Sequence, residues 1–294
     1  MKQTRRTILK NILVGGSAIV AAPALSLGNI ALEEIGAKKS KINHSVCRWT
    51  YNELSLDELC LTVKSLGFAA IDLVGPKEWH ILKKHGIDSS MCNGAEISLT
   101  EGFNDKQYHS LLQKNYTEHI NLVAKAGYKN LICFSGNKKG MDDETGLKNC
   151  VVGLKPLVAL AEKQNVILQM ELFNSKIDHK DYMCDNTTWG IELCKRLGSP
   201  NFKLLYDIYH MQISEGDIIR TIQNGHTYFG HYHTAGVPGR HEIDETQELF
   251  YPAIMKAIVA TGYKGYVAQE FIPTGNTKKS KIAALKKAIS ICSV

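Results

Sequence analysis

Leu66-Gly67-Phe68, Ala126-Gly127-Tyr128 and Thr261-Gly262-Tyr263 punctuate the chain in one and the same way. Each follows a stretch whose apolar residues recur at helical spacing, and each precedes a short β-rich apolar run. A glycine just past a helix end supplies a left-handed turn, and the aromatic packs as the chain enters a sheet. Outward from these points, strands are predicted at residues 45–49, 70–74, 90–93, 130–134, 166–172, 203–208, 228–234 and 265–270. Between them lie helical patterns. Ser55-Leu56-Asp57-Glu58 opens one with serine three residues before glutamate, and Leu59, Val63 and Leu66 form its apolar stripe. Residues 106–126 carry Leu111, Leu112, Ile120, Leu122 and Val123; residues 147–162 carry Val151, Leu154, Leu157 and Leu160. Eight strand–helix units in roughly 250 residues predict an α/β protein, a single-domain (β/α)8 TIM barrel over residues 42–294. The alternative, a doubly wound open sheet, lacks a GxGxxG after any strand.

The 294 residues, 44% hydrophobic and 22% charged, exclude a disordered tail protein and a polytopic membrane protein. The formal charge of +6 is concentrated at one end. Lys2, Arg5, Arg6 and Lys10 lie in the first 24 residues, which hold no acid; without them 31 basic residues face 29 acidic ones. A net +2 argues for neither nucleic acid nor an anionic membrane as partner. Thr4-Arg5-Arg6-Thr7-Ile8-Leu9-Lys10, the apolar run 12–22 and Ala22-Pro23-Ala24 have the parts of a secretory signal, and the paired arginines resemble the twin-arginine export signal. Residues 1–24 are therefore expected to be an export signal and 25–41 a solvated linker. The expected location is the periplasm, with no stable membrane span after processing. The eight cysteines form no CxxC pair, which argues against a structural zinc knuckle. Several sit in apolar strand-like runs and read as small buried hydrophobes rather than a disulfide framework.

In such a barrel the functional residues stand where strands end and βα loops begin. The run 166–170 ends at Glu171, and 203–206 ends at Asp207. Strand seven carries His231 and His233, and strand eight ends Gln269-Glu270. A carboxylate directly after a buried run is costly to leave unpaired. A shared cation reconciles several at one mouth. Three carboxylates and one imidazole make a hard, oxygen-rich set suited to Mn²⁺ or Mg²⁺, with Co²⁺ also admissible. Of the two histidines, expected on opposite faces of their strand, His233 is assigned to the mouth. Trp49, Trp79, Phe103 and Phe134 fall near strand ends, where they could wall a pocket. Asn174 and Glu242 are further candidates for substrate or supporting contacts.

Four segments carry a family resemblance. Asp207-Ile208-Tyr209-His210-Met211-Gln212 with Glu215-Gly216-Asp217 resembles the matching segment of the hydroxypyruvate isomerases. So do Val237-Pro238-Gly239-Arg240-His241-Glu242, Phe134-Ser135-Gly136-Asn137 and Val74-Gly75-Pro76-Lys77-Glu78-Trp79. The resemblance runs from about residue 42 to 275. That group belongs to the xylose-isomerase-like barrels, which also include ketose 3-epimerases and endonuclease IV-type repair enzymes. It implies that Glu171, Asp207, His233 and Glu270 hold a metal, that Glu171 and Glu270 act as the acid/base pair, and that His210 and Arg240 contact substrate. The implied reaction is isomerisation of a small α-hydroxycarbonyl acid or sugar through a cis-enediolate, hydroxypyruvate to tartronate semialdehyde being the named example. Two positions depart from the pattern: the hydroxypyruvate isomerases tend to carry Gln where His233 stands and Asp where Gly236 stands. Ketose epimerases carry His at the ligand position, so a ketose or keto-sugar epimerase or lyase is the alternative. A repair nuclease would need more histidines and a basic face. A non-catalytic exported sugar-binding protein would give no reason for two opposed glutamates. Homo-oligomerisation stays open.

Overall fold

The computed structural model describes residues 40–294; the expected export signal and nearly all of the expected linker lie outside them. Eight parallel strands form the wall: β1 (Asn43–Val46), β2 (Ala70–Val74), β3 (Asp88–Cys92), β4 (Asn130–Cys133), β5 (Ile167–Glu171), β6 (Phe202–Asp207), β7 (Phe229–Thr234) and β8 (Tyr266–Gln269). Their order is β1-β8-β7-β6-β5-β4-β3-β2, and a bridge between Cys47 and Asp72 brings the two ends together. Helices alternate with the strands as the sequence predicts: α1 (Leu56–Ser65), α2 (Trp79–His85), α3 (His109–Ala126), α4 (Asp143–Gln164), α5 (Thr187–Leu197), α6 (Ile208–Ser214), α7 (Ile218–Gly225), α8 (Tyr251–Ala260) and α9 (Lys278–Cys292). This is a single-domain (β/α)8 TIM barrel, and none of the described helices is long and apolar enough to cross a membrane.

Local chemistry explains the joints. Gly67, Gly127 and Gly262 take φ values of +82°, +82° and +80°, and a Cβ added at any of them would meet nothing within 4 Å. Their requirement is therefore conformational rather than steric, as expected for a left-handed turn. Ser55 and Glu58 close a capping box at the start of α1, with Glu58 N–H donating to Ser55 Oγ (3.2 Å) and Ser55 N–H to Glu58 Oε2 (2.8 Å). All eight cysteines are buried and free.

Most strand ends fall within one or two residues of expectation, and two departures have a clear local cause. Residues 48–51 leave the wall as a turn of 3₁₀ helix, in which Thr50 Oγ1 donates to the Cys47 carbonyl (3.0 Å) and Arg48 Nη1 to that of Tyr51 (3.1 Å). Trp49 is thus lifted off strand one. Ile208 begins α6 instead of ending β6, because the Asp207 side chain accepts from the His210 N–H (3.2 Å) and caps the helix.

Candidate metal centre

Glu171 and Asp207 are the last residues of β5 and β6, His233 is the last but one of β7, and Glu270 follows β8. All four are buried. Each presents one ligand atom, and the four atoms lie within 4.8 Å of one another. His233 Nδ1 is the hub: Glu171 Oε1 stands 2.9 Å away, Glu270 Oε2 2.8 Å and Asp207 Oδ2 4.0 Å. The sequence-predicted quartet is therefore one cluster.

Around it, Arg240 Nη2 bonds Glu270 Oε2 and lies 3.6 Å from Asp207 Oδ2. Its guanidinium sits over the rings of Trp49 (5.3 Å) and Tyr209 (5.5 Å), and Trp49 Nε1 donates to Glu270 Oε1 (2.9 Å). The backbone of Arg240 is left-handed, at φ +59°. These contacts set charge states. Burial pushes the carboxyls of Glu171 and Asp207 up, the latter to about 8. Burial acts the same way on Glu270, but Arg240, His233 and the Trp49 indole overcome it and hold that carboxyl well below its usual range. His233 is held cationic against burial, chiefly by Glu270.

His210, three residues beyond Asp207, is oriented by Asn174. Asn174 Oδ1 accepts the backbone N–H groups of Ile177 (2.9 Å) and Asp178 (3.0 Å), which fixes the amide so that Nδ2 donates to His210 Nδ1 (2.7 Å) and Asp178 Oδ2 (2.6 Å). A proton donated into Nδ1 requires the Nε2–H tautomer. Burial and the neighbouring Arg240 keep the imidazole neutral. Asn174, expected at the substrate, thus has both ends of its amide engaged by the protein and acts through His210.

Among the described residues, three buried polar atoms at this mouth have no hydrogen-bond partner: Asp207 Oδ2, His210 Nε2 and Arg240 Nε. His210 Nε2 stands 3.6 Å from Asp207 Oδ2. One carboxyl oxygen and two donors left unmatched in a buried place fit a cation together with an oxygen-bearing ligand. Phe134 stacks on Phe173, whose other aromatic neighbours are His179 (4.0 Å between centroids), Tyr182 and, edge-on, His210. Trp79 is placed otherwise. Its indole N–H donates to the Val74 carbonyl (2.8 Å) and its ring meets Tyr128, with no partner in the acid cluster. Phe103, too, packs on Tyr116 and His109 in the core. Glu242 ties two loops, accepting from the Thr274 N–H (2.7 Å). Glu215, from the motif after β6, caps α5 by accepting from the Thr187 N–H and hydroxyl.

The expectation for His231 is corrected. Side chains alternate along a strand, so residues two apart share a face; His231 and His233 both point inward, each to Asp72, at 3.0 Å and 2.8 Å. Asp72 itself escaped the sequence reading. Its signal was an acid in the middle of the apolar run Ala70-Ile71-Asp72-Leu73-Val74.

A parallel eight-stranded barrel with three acids and an imidazole gathered at the C-terminal ends of its strands defines a barrel with a candidate divalent-metal centre. The chain belongs to the xylose isomerase-like TIM barrel family, whose model matches residues 62–288. Among curated relatives it is 35% identical to a 2-oxo-tetronate isomerase of Cupriavidus necator over 117 residues, 40% of this chain and 44% of that protein. It is 26% identical to a hydroxypyruvate isomerase of Escherichia coli over 220 residues, 63% of this chain and 84% of that one. The chain thus spans under half the length of the first of these. A solved structure titled AP endonuclease, family 2, from Brucella melitensis superposes with a TM-score of 0.73 at 21% identity, covering 85% of this chain and 97% of that one. That likeness concerns the fold alone.

Proposed function

We propose that this protein is a divalent-metal-dependent isomerase of a small α-hydroxycarbonyl acid, of the kind named in its relatives: hydroxypyruvate or a 2-oxo-tetronate. The observation that carries the reading is the trio of unmatched buried atoms, Asp207 Oδ2, His210 Nε2 and Arg240 Nε, beside the Glu171–His233–Glu270 hub. Glu171, Asp207, His233 and Glu270 would hold the ion, and their hard donor set suits Mn²⁺ or Mg²⁺. What a bound divalent cation supplies is Lewis acidity toward a carbonyl oxygen. The remaining work belongs to side chains. His210 Nε2–H and Arg240 Nε–H donate to substrate oxygens, and the Arg240 fork is the partner for a carboxylate. The two glutamates have unlike surroundings. Glu270, held ionised by Arg240 and Trp49, suits proton removal, whereas Glu171, raised by burial, suits proton return to the neighbouring carbon. The twin-arginine-like N-terminus further supports action outside the inner membrane.

One observation favours the epimerase alternative. A Cβ at Gly236 would stand 2.4 Å from the Glu242 carbonyl oxygen, so this loop has no room for the aspartate that the hydroxypyruvate isomerases tend to carry. Both readings share the proton chemistry and differ in the far end of the substrate. The test is exchange of substrate C–H for deuterium by NMR. Chelator-stripped protein, reloaded with Mn²⁺ or Mg²⁺, is offered hydroxypyruvate, a 2-oxo-tetronate, ketoses and keto-glycosides. Metal-dependent exchange that disappears in Glu270→Gln is expected. Tight binding without exchange, with or without metal, would leave a sugar-binding protein instead.

A further inference from the structure

Asp72 lies on β2, not on any strand that contributes to the quartet, yet its carboxylate is fully buried and surrounded by donors. Ser90 Oγ donates to Oδ1 (2.5 Å), and His231 Nε2 stands 3.0 Å from the same oxygen. Oδ2 accepts from His233 Nε2 (2.8 Å) and from the Cys47 thiol (3.6 Å). Three hydrogen bonds, from Ser90, His233 and Cys47, with the His231 ring close by, are spread over both oxygens of an ionised carboxylate, a capacity that a carboxamide with its single acceptor oxygen lacks.

The backbone is bent to place it. The β2–β3 register slips between Ile71 and Asp72 and again between Asp72 and Val74, and Leu73 takes a left-handed φ of +57°. A bulky non-glycine residue held there marks strain, and a bulge commonly re-aims a side chain beside a functional site. What it aims here is a carboxylate at the far nitrogen of His233, the nitrogen not turned to Glu171, Asp207 and Glu270.

We propose that Asp72 is the positioning residue of the candidate metal centre, holding the proton on His233 Nε2 so that Nδ1, which faces the three acids, is the nitrogen a cation would take. This rests on reading the quartet as a cation site. An imidazole ligand has two nitrogens, and the one that binds is decided by the bond the other makes. Without Asp72 the ring is free to present either nitrogen or to turn, and the fourth ligand is no longer prepared.

The experiment is calorimetric titration of chelator-stripped protein with Mn²⁺ and Mg²⁺, wild type beside Asp72→Asn, with circular dichroism and the unfolding midpoint recorded for both. The expected result is a roughly 10–100-fold loss of ion affinity in a variant that remains folded. A folded Asp72→Asn protein with unchanged affinity overturns the inference and leaves the metal site standing. Wild-type protein that takes up neither ion overturns the site and the inference together. Long-range ¹H–¹⁵N NMR of Mg²⁺-loaded wild type, with His233 assigned by comparison with His233→Gln, decides the matter even if Asp72→Asn does not fold. A protonated Nε2 and a bare Nδ1 are expected, and the opposite tautomer refutes the proposal.

Discussion

Loading the acid cluster with a divalent ion must expel protons, and His233 and Asp207 are two side chains that give them up. His233 Nδ1 lies 2.9 Å from one carboxylate and 2.8 Å from another, distances that call for a hydrogen on that nitrogen, and its pKa is accordingly held well above the usual imidazole range. Burial pushes Asp207 up to about 8, with Arg240 opposing. At pH 7 both groups carry a proton in ion-free protein, and an ion taking Nδ1 and Oδ2 displaces both. Protonation competes with the ion, so affinity climbs with pH. Each displaced proton contributes about 1.4 kcal/mol per pH unit, so two of them raise the apparent affinity about 100-fold between pH 6 and pH 7. Above pH 8 Asp207 is mostly ionised, and the dependence weakens as its share is lost. Calorimetric titration with Mn²⁺ in buffers of different ionisation enthalpy counts the protons directly, and at least about two per ion are expected at pH 7. Affinity that is flat from pH 6 to 8, or uptake without proton release, refutes this account of the cluster.

Asn174→Leu removes the donor that fixes His210 and leaves Nδ1 a buried orphan, or moves the proton to Nδ1, toward Asp178 Oδ2 at 3.9 Å. An unsatisfied buried group is worth about 1–3 kcal/mol, so turnover in the exchange assay should drop roughly 5–150-fold while Mn²⁺ affinity holds; undiminished turnover would take His210 out of the mechanism. Gly102→Ala sets a Cβ 2.3 Å from Gly136 N and Ser135 C and 2.5 Å from Phe134 O, all backbone. A loss of roughly 3 kcal/mol is expected from urea unfolding, and a wild-type midpoint would contradict the close approach of these loops. The eight buried thiols should ignore a thiol reagent such as Ellman's until the barrel opens, and rapid modification of native protein would contradict their burial.

The barrel was legible because its punctuation is local. A left-handed glycine and a following aromatic declare a helix end and a strand start within three residues, and β2 was placed to the residue. Glu171, Asp207 and Glu270 were legible because an acid straight after an apolar run stands out. Trp49 was misplaced because its turn is held by side-chain bonds from Arg48 and Thr50 that apolar patterning does not register. Asp72 is the instructive omission. An acid inside a strand looks like an interruption of the pattern, and its meaning lies in two histidines some 160 residues later in the chain. The partnership of Asn174 with His210 was hidden for the same reason: their separation of 36 positions closes only through the barrel.

The wall is not stitched evenly. β2 and β3 share several register pairs with each other, but β3 meets β4 at the single pair Cys92–Leu131, and β2 meets the β1 side at the single bridge from Cys47 to Asp72. Residues 70–92 therefore form a panel hinged on one backbone contact along each edge, and they should lead the barrel in amide hydrogen exchange. Asp72, bonded to His233 and beside His231, helps pin that panel inward. An occupant that stiffens His233 would reach the panel through this pin, so slower exchange at β2 would report that the distant mouth is filled.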